Sequence, residues 1–301
     1  MTADLPANIQ CWVNEYNHVG QRGLFLWRWC LYAVDLITLS TVEASLRKEV
    51  LEIKFLIGMY NCLVDDVADE GHNHALLHSL LKLHQGVIPE PASPDEIPVI
   101  QFTSKVWRAI WDRALRLPRF DEFKQLLAFD LKQLGNTIEH ADLVYQIPEL
   151  MSPQEHELYS AHGMMVTISA SVDLMASPAF DRRELGALRE MLWHAESMAR
   201  IGNMISTWER EIDANDFSSG VFMEAIWRRA LKPSDLSAAN RNHLVQTIIE
   251  CQIEEQFVGR WNRHRESIRA LRDRLETIDM DDYVDRLDSL FDSELISHGR
   301  K

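Results

Sequence analysis

The sequence predicts an all-α protein, and three observations predict it. Apolar residues recur at helical spacing nearly throughout, alternating strand-like runs bounded by turn signals are hard to find, and several segments open with side chains that cap helices. The chain has 301 residues, 46% of them hydrophobic, which is ample to bury a core. Length alone allows about two domains. No composition shift marks a boundary and no internal repeat is convincing, so residues 1–301 read as one helical domain, with 1–20 as a flexible N-terminal segment.

In chain order, Ser40-Thr41-Val42-Glu43 offers an N-cap serine with Glu three positions on, and predicts a helix from about residue 41 to 69. That helix ends in Asp65-Asp66-Val67-Ala68-Asp69, followed by the polar break Glu70-Gly71-His72-Asn73. Gly86 to Pro98, with Pro89, Pro91, Pro94 and Pro98, is the clearest loop. Ser93-Pro94-Asp95-Glu96 and Ser152-Pro153-Gln154-Glu155 open two further helices, each with Pro at the first helical position. Gly163, amid Ala161-His162-Gly163-Met164-Met165, weakens or breaks the second of these. From about Glu184 to Glu211 the apolar positions Leu188, Leu192, Met198, Ile201 and Ile205 recur at helical intervals, and the turn-rich stretch Asp213 to Gly220 follows.

Charge excludes some partners. With 31 Lys+Arg against 46 Asp+Glu the net charge is −15, which disfavours nucleic acid or an anionic membrane surface. Cys11, Cys30, Cys62 and Cys251 have no spacing of a disulfide framework or zinc ribbon, so a reducing, cytoplasmic setting is expected. Met1 to Gln10 lacks the charge and apolar run of a signal peptide, and the greasiest stretch, Leu24 to Leu39, is interrupted by Arg28 and Asp35. His74 and His78 stand one helical turn apart near His72 and His84, but no Cys accompanies them and a solvated polar segment is the better reading.

The chemistry lies in two segments. Residues four apart on a helix stack one turn above another, so Asp65 and Asp69 share a face, with Asp66 beside them, and Asn203, Thr207 and Glu211 line up over two turns. Taken singly, each is an acidic or polar helix face turned to water. Taken together, they supply hard oxygen donors of the kind that hold Mg²⁺ with substrate phosphates. Three carboxylates near the negative end of a helix also repel one another and the dipole, which costs stability unless cations sit there.

These segments resemble, in order and separation, the Asp-rich motif and the Asn-Ser/Thr-Glu triad of class I terpene synthases, most closely the short bacterial-type diterpene synthases. The resemblance covers most of the chain in helical layout. It implies three Mg²⁺ ions, with Mn²⁺ as the substitute, bound by Asp65, Asp66, Asp69, Asn203, Thr207 and Glu211. Arg210, just before the last triad residue, matches a basic position that binds diphosphate, and Arg200 is a second basic candidate. Phe55, Gly58, Asn61 and Cys62 lie one to three turns before Asp65 on roughly its face and are the candidate cavity lining. A helix break at Gly163 would aim a backbone carbonyl and helix dipole at a cation.

The chain departs from the family's pattern. Met204 stands where many members have Asp. The diphosphate-sensing Arg expected before the triad is missing, Ser160 or Glu157 falling in its place. The C-terminal Arg-Tyr pair is missing too, Ser297-His298-Gly299-Arg300-Lys301 offering Arg300 as its altered counterpart.

The resemblance therefore implies a Mg²⁺-dependent lyase that ionises a prenyl diphosphate, releasing diphosphate and a diterpene hydrocarbon or alcohol. The expected substrate is a C20 diphosphate, either linear geranylgeranyl or a bicyclic labdane- or clerodane-type product of a separate class II cyclase. A homodimer is the expected self-association. Nine Trp and eleven Phe suffice to line a dry pocket in which aromatic faces stabilise passing positive charge by about 0.5 to 2 kcal/mol each. The rivals are a sesquiterpene synthase acting on farnesyl diphosphate, a prenyl transferase, which would need a second Asp-rich box, and a non-catalytic helical interaction protein.

Overall fold

The chain folds as helices. In the computed structural model, which describes residues 4–69 and 73–297, 76% of the chain is helical, and among the described residues there are thirteen α-helices and no strand. They are α1 (Ala7–Tyr16), α2 (Leu24–Leu36), α3 (Arg47–Asp69), α4 (His74–Leu81), α5 (Glu96–Ala114), α6 (Phe120–Gln146), α7 (Pro153–Ser160), α8 (Val166–Met175), α9 (Leu185–Asp213), α10 (Gly220–Trp227), α11 (Arg241–Glu250), α12 (Ile253–Arg269) and α13 (Met280–Ile296). No described helix is long and apolar enough to cross a membrane. The chain divides into two compact units, the first Met1–Gly135, Met165–Arg182 and Thr277–Asp279, the second Asn136–Met164, Arg183–Glu276 and Met280–Lys301.

In the first unit, α3 packs against α2, α4, α5 and α8. Val50, Ile53, Phe55, Leu56, Ile57 and Met59 of α3 are all fully buried, too many for one stripe, as befits a helix enclosed by neighbours. Its one buried amine, Lys54, reaches Asp173 of α8 at 3.1 Å and Thr38 Oγ1 at 2.8 Å, while the Leu39 N–H donates to the same Asp173 at 2.9 Å. This network ties α3 to α8. Residues expected as a flexible lead-in instead form α1, which buries Ile9, Val13 and Tyr16.

The second unit is built on α9, which packs against α10, α12 and α13. Leu188, Leu192, Met198, Ile201 and Ile205 are buried as their spacing predicts. Gly202 admits α13 closely, because a Cβ there would stand 3.1 Å from Glu294 Cγ and 3.2 Å from Phe291 Cδ2. On the same side Ser206 donates to Glu294 Oε2 at 3.1 Å.

The predicted caps fare differently. Ser152 caps α7, its hydroxyl accepting from the Glu155 N–H at 3.4 Å with Pro153 at the first position. At Ser93 the helix begins two residues later than Pro94, at Glu96, whose carboxylate accepts from the Ala92 N–H at 2.7 Å. Pro98 therefore lies in the first turn of α5, where its missing N–H costs nothing. Ser40–Glu43 is not a helix start, and α3 begins at Arg47. Its polar groups have tertiary partners instead: Ser40 Oγ accepts from the Asp279 N–H, Thr41 donates to Ser177 Oγ, and the Glu43 N–H donates to the Ala176 carbonyl.

The break around Gly163 is present. The α-helix stops at Ser160, Ala161–Met164 form a 3₁₀ turn, Met165 takes a left-handed φ of 60°, and α8 begins at Val166. The Tyr159 carbonyl, in the last turn of α7, accepts from Thr137 Oγ1 at 2.6 Å.

Candidate functional site

The Asp box occupies the last turn of α3, a helix with no basic residue of its own there. The cation that turn requires comes from elsewhere in the first unit. Arg22, in the loop between α1 and α2, donates through Nε to Asp66 Oδ1 at 2.6 Å and through Nη2 to Asp65 Oδ2 at 3.2 Å. Tyr16, the last residue of α1, donates its hydroxyl to Asp66 Oδ2 at 2.5 Å. Burial and the hydrogen bond to Asp66 push the Tyr16 phenol's pKa up, so it remains a donor. The side chain of Asp65 is 47% exposed and that of Asp66 11%. Asp69 ends the helix, and its side chain lies outside the described residues, as do His72 and Arg300.

Of the candidate cavity residues on α3, Phe55 is fully buried against the Trp27 ring, centroids 5.8 Å apart, and belongs to the packed interior. Gly58 faces the helix break, since a Cβ there would lie 3.7 Å from Met165 Cε. Asn61 is half-buried. Cys62 is partly buried, and desolvation pushes its thiol's pKa well up, with Arg22 opposing. Gly163 packs beside Thr137, whose Cγ2 would stand 3.3 Å from a Cβ.

In the second unit the triad lies along the last three turns of α9. Thr207 Oγ1 donates to Glu211 Oε1 at 2.6 Å, Arg200 Nη1 donates to Asn203 Oδ1 at 3.0 Å, and Thr207 is buried. Glu211 Oε2 is buried with no hydrogen-bond partner. Burial, aided by the Asp216 charge, raises the Glu211 pKa to about 7, although Thr207, Arg200 and Arg210 act the other way. The Arg210 Nε is also buried without a partner. An orphaned carboxylate oxygen beside a hydroxyl and an amide oxygen is a donor set that fits a hard divalent cation, which would hold Glu211 ionised.

Among the described residues no group of three or more His, Cys, Asp or Glu side chains gathers closely enough to hold a metal ion. The triad brings one carboxylate, and its other donors are an amide and a hydroxyl.

A cavity of about 40 Å³ opens between α7, α9, α10 and α12. Glu157 and Ser160, which stand where a sensing Arg was expected, both line it. Two guanidinium groups reach it from other helices, Arg200 from α9 and Arg260 from α12, the latter held by Glu224 at 2.8 Å. Buried His156 borders it, its Nδ1 3.2 Å from Ser160 Oγ, and desolvation followed by the Arg200 charge pushes its pKa well down, leaving it neutral.

Sequence reasoning singled out Arg200 and Arg210 and missed Arg22, Tyr16 and Arg260. Tyr16 lies 50 positions from Asp66 and Arg22 lies 43 from Asp65, separations at which no spacing rule gives a signal. Compared with protein-family models and with curated proteins, the chain matches none of either.

Proposed function

We propose that this chain is a class I terpene synthase, ionising a prenyl diphosphate with Mg²⁺ and directing the resulting carbocation to a cyclised or rearranged product. Asp65 and Asp69 from α3, and Asn203, Thr207 and Glu211 from α9, would hold the ions. Bound Mg²⁺ supplies charge neutralisation to the diphosphate as its carbon–oxygen bond breaks heterolytically. Arg200 and Arg210 bind and orient the leaving group. The buried face around Gly58 would exclude water from the hydrocarbon. A C20 substrate, linear or bicyclic, is favoured over C15, because a larger apolar body compensates for fewer direct cationic contacts at about 25 cal/mol per Å² buried.

The observation that carries the reading is Glu211, whose Oε2 is buried without a partner beside Thr207 on the face that also bears Asn203. A carboxylate kept in that state at a cost of desolvation is accounted for by a cation ligated there. The test is incubation of the purified protein and Mg²⁺ with C15, linear C20 and bicyclic C20 diphosphates, with identification of extractable products and released diphosphate. Product from a C20 substrate only in the presence of Mg²⁺ supports the proposal. No product and no diphosphate release from any of the three overturns it, and a higher kcat/KM for farnesyl diphosphate than for every C20 substrate overturns the diterpene assignment.

A further inference from the structure

The first unit carries a groove that the proposed reaction does not use. It runs between the start of α1, one face of α2 and the first turns of α3, and its volume of about 800 Å³ is that of a site for a small organic molecule. Leu5 and Ile9, Leu31 and Tyr32, and Leu51 give it an apolar surface drawn from three segments of the chain. Its charges are committed to different degrees. Glu52 is held by Arg113 and accepts from the Asn8 amide at 2.6 Å, and Asp35 pairs with Arg47 at 2.6 Å. Arg28 is held less firmly. Its Nε is buried without a hydrogen-bond partner, and its Nη2 meets Asp4 Oδ1 at 3.1 Å, on a side chain that is 99% exposed. An ion pair so open to water is worth little. Lys48, exposed on the α3 wall, has no carboxylate partner among the described residues. In a chain of net charge −15, the charge left over in this groove is positive.

We propose that this groove binds a single-chain amphiphile with an anionic head, a long-chain carboxylate. The Arg28 guanidinium takes the head, because its planar fork matches a carboxylate in two parallel hydrogen bonds. Lys48 adds attraction, and the chain lies on Leu5, Ile9, Leu31 and Leu51. Asp4 is the protein's own carboxylate on Arg28 and therefore competes with the ligand's head. None of these residues belongs to the metal-site reading above, so the two stand or fall separately.

The test is titration calorimetry of the full chain with octanoate, decanoate and dodecanoate below their micelle-forming concentrations, and with decanol as the neutral chain. One equivalent should bind, each added CH₂ tightening the complex by up to about fourfold. Decanol should bind about tenfold more weakly than decanoate. Arg28→Gln should weaken decanoate about tenfold and leave decanol unchanged. Asp4→Asn removes the competitor and should tighten decanoate binding. Lys48→Glu should weaken it, most at low salt. Ala44→Trp, which fills the groove from an exposed edge, should abolish binding of both chains. Folding is not at risk in these last three, since Asp4 and Ala44 are exposed and an acidic residue in the first turn of α3 suits the helix dipole. Absence of binding by every chain overturns the proposal. So does equal affinity for decanol and decanoate, an Asp4→Asn protein that binds decanoate no more tightly than the parent, or binding that survives Ala44→Trp, which would place the chain elsewhere. Self-association of the parent that Ala44→Trp removes, without carboxylate binding, would assign the groove to a second copy of the protein and overturn the proposal as well.

Discussion

Asp66 and Glu211 are both carboxylates near the C-terminal end of a long helix, where the dipole disfavours negative charge. Asp66 has a guanidinium on one oxygen and a phenol on the other. Glu211 has a threonine hydroxyl on one oxygen, nothing on the other, and a pKa raised to about 7. The protein compensates the first charge fully and the second only in part. Polar satisfaction, more than acidity, thus separates the two carboxylates.

The largest effect that would sharpen this comparison is on turnover. Asp65→Asn and Asn203→Ala each remove a donor without opening a core cavity. Each should cut product formation about a thousandfold, the equivalent of several kcal/mol of lost charge stabilisation, with circular dichroism unchanged. Near-normal Mg²⁺-dependent turnover in both would break the comparison at its root. Next comes Lys54→Met, which strands Asp173 in the interior of the first unit, both side chains being fully buried. A loss of about 3–5 kcal/mol in denaturant unfolding is expected, because an uncompensated carboxylate has no route to water there.

Glu211 gives a pH signature. Its folded pKa of about 7 lies above the ordinary 4.5, so the folded state holds a proton that the unfolded state has released. The stabilisation is complete below about pH 4.5 and is lost as pH rises through about 7, amounting to no more than about 3 kcal/mol. Without divalent ions the melting temperature should therefore fall between about pH 5 and 8. Glu211→Gln should remove that part of the slope and be the more stable protein at the alkaline end. A slope of equal size in Glu211→Gln would show that this carboxylate is compensated after all. The smallest effect concerns the close packing beside the triad. Gly220→Ala would set a Cβ 2.7 Å from His156 Cε1 and 2.8 Å from Met204 Sδ. About 1–3 kcal/mol of overpacking should appear as a lower melting temperature.

How legible was this in the sequence? Where a local rule had no tertiary competitor it held: Ser152 caps α7 as its Pro and Glu neighbours indicate, and the apolar spacing from Leu188 to Ile205 faces inward. Where tertiary partners were on offer they prevailed, and the same cap signature at Ser40–Glu43 lost its polar groups to Asp279, Ser177 and Ala176. The oxygen-bearing faces of α3 and α9 were readable because four-residue spacing on a helix dictates them. Their supports were not. Arg22 and Tyr16 come from a loop and a helix end whose contact with Asp66 is fixed by folding alone, and the signal at Gly20 becomes meaningful only once a phenol is seen against it.

The first helix also leaves the protein with a convenient chemical handle. Cys11, on α1, is exposed, whereas Cys62 is partly buried and desolvation keeps its thiol from ionising. Since the thiolate is the reacting species, an alkylating dye should modify Cys11 well ahead of Cys62. A fluorophore placed there would ride on the helix that carries Tyr16, and its anisotropy would report any loosening of that helix from the carboxylate it holds.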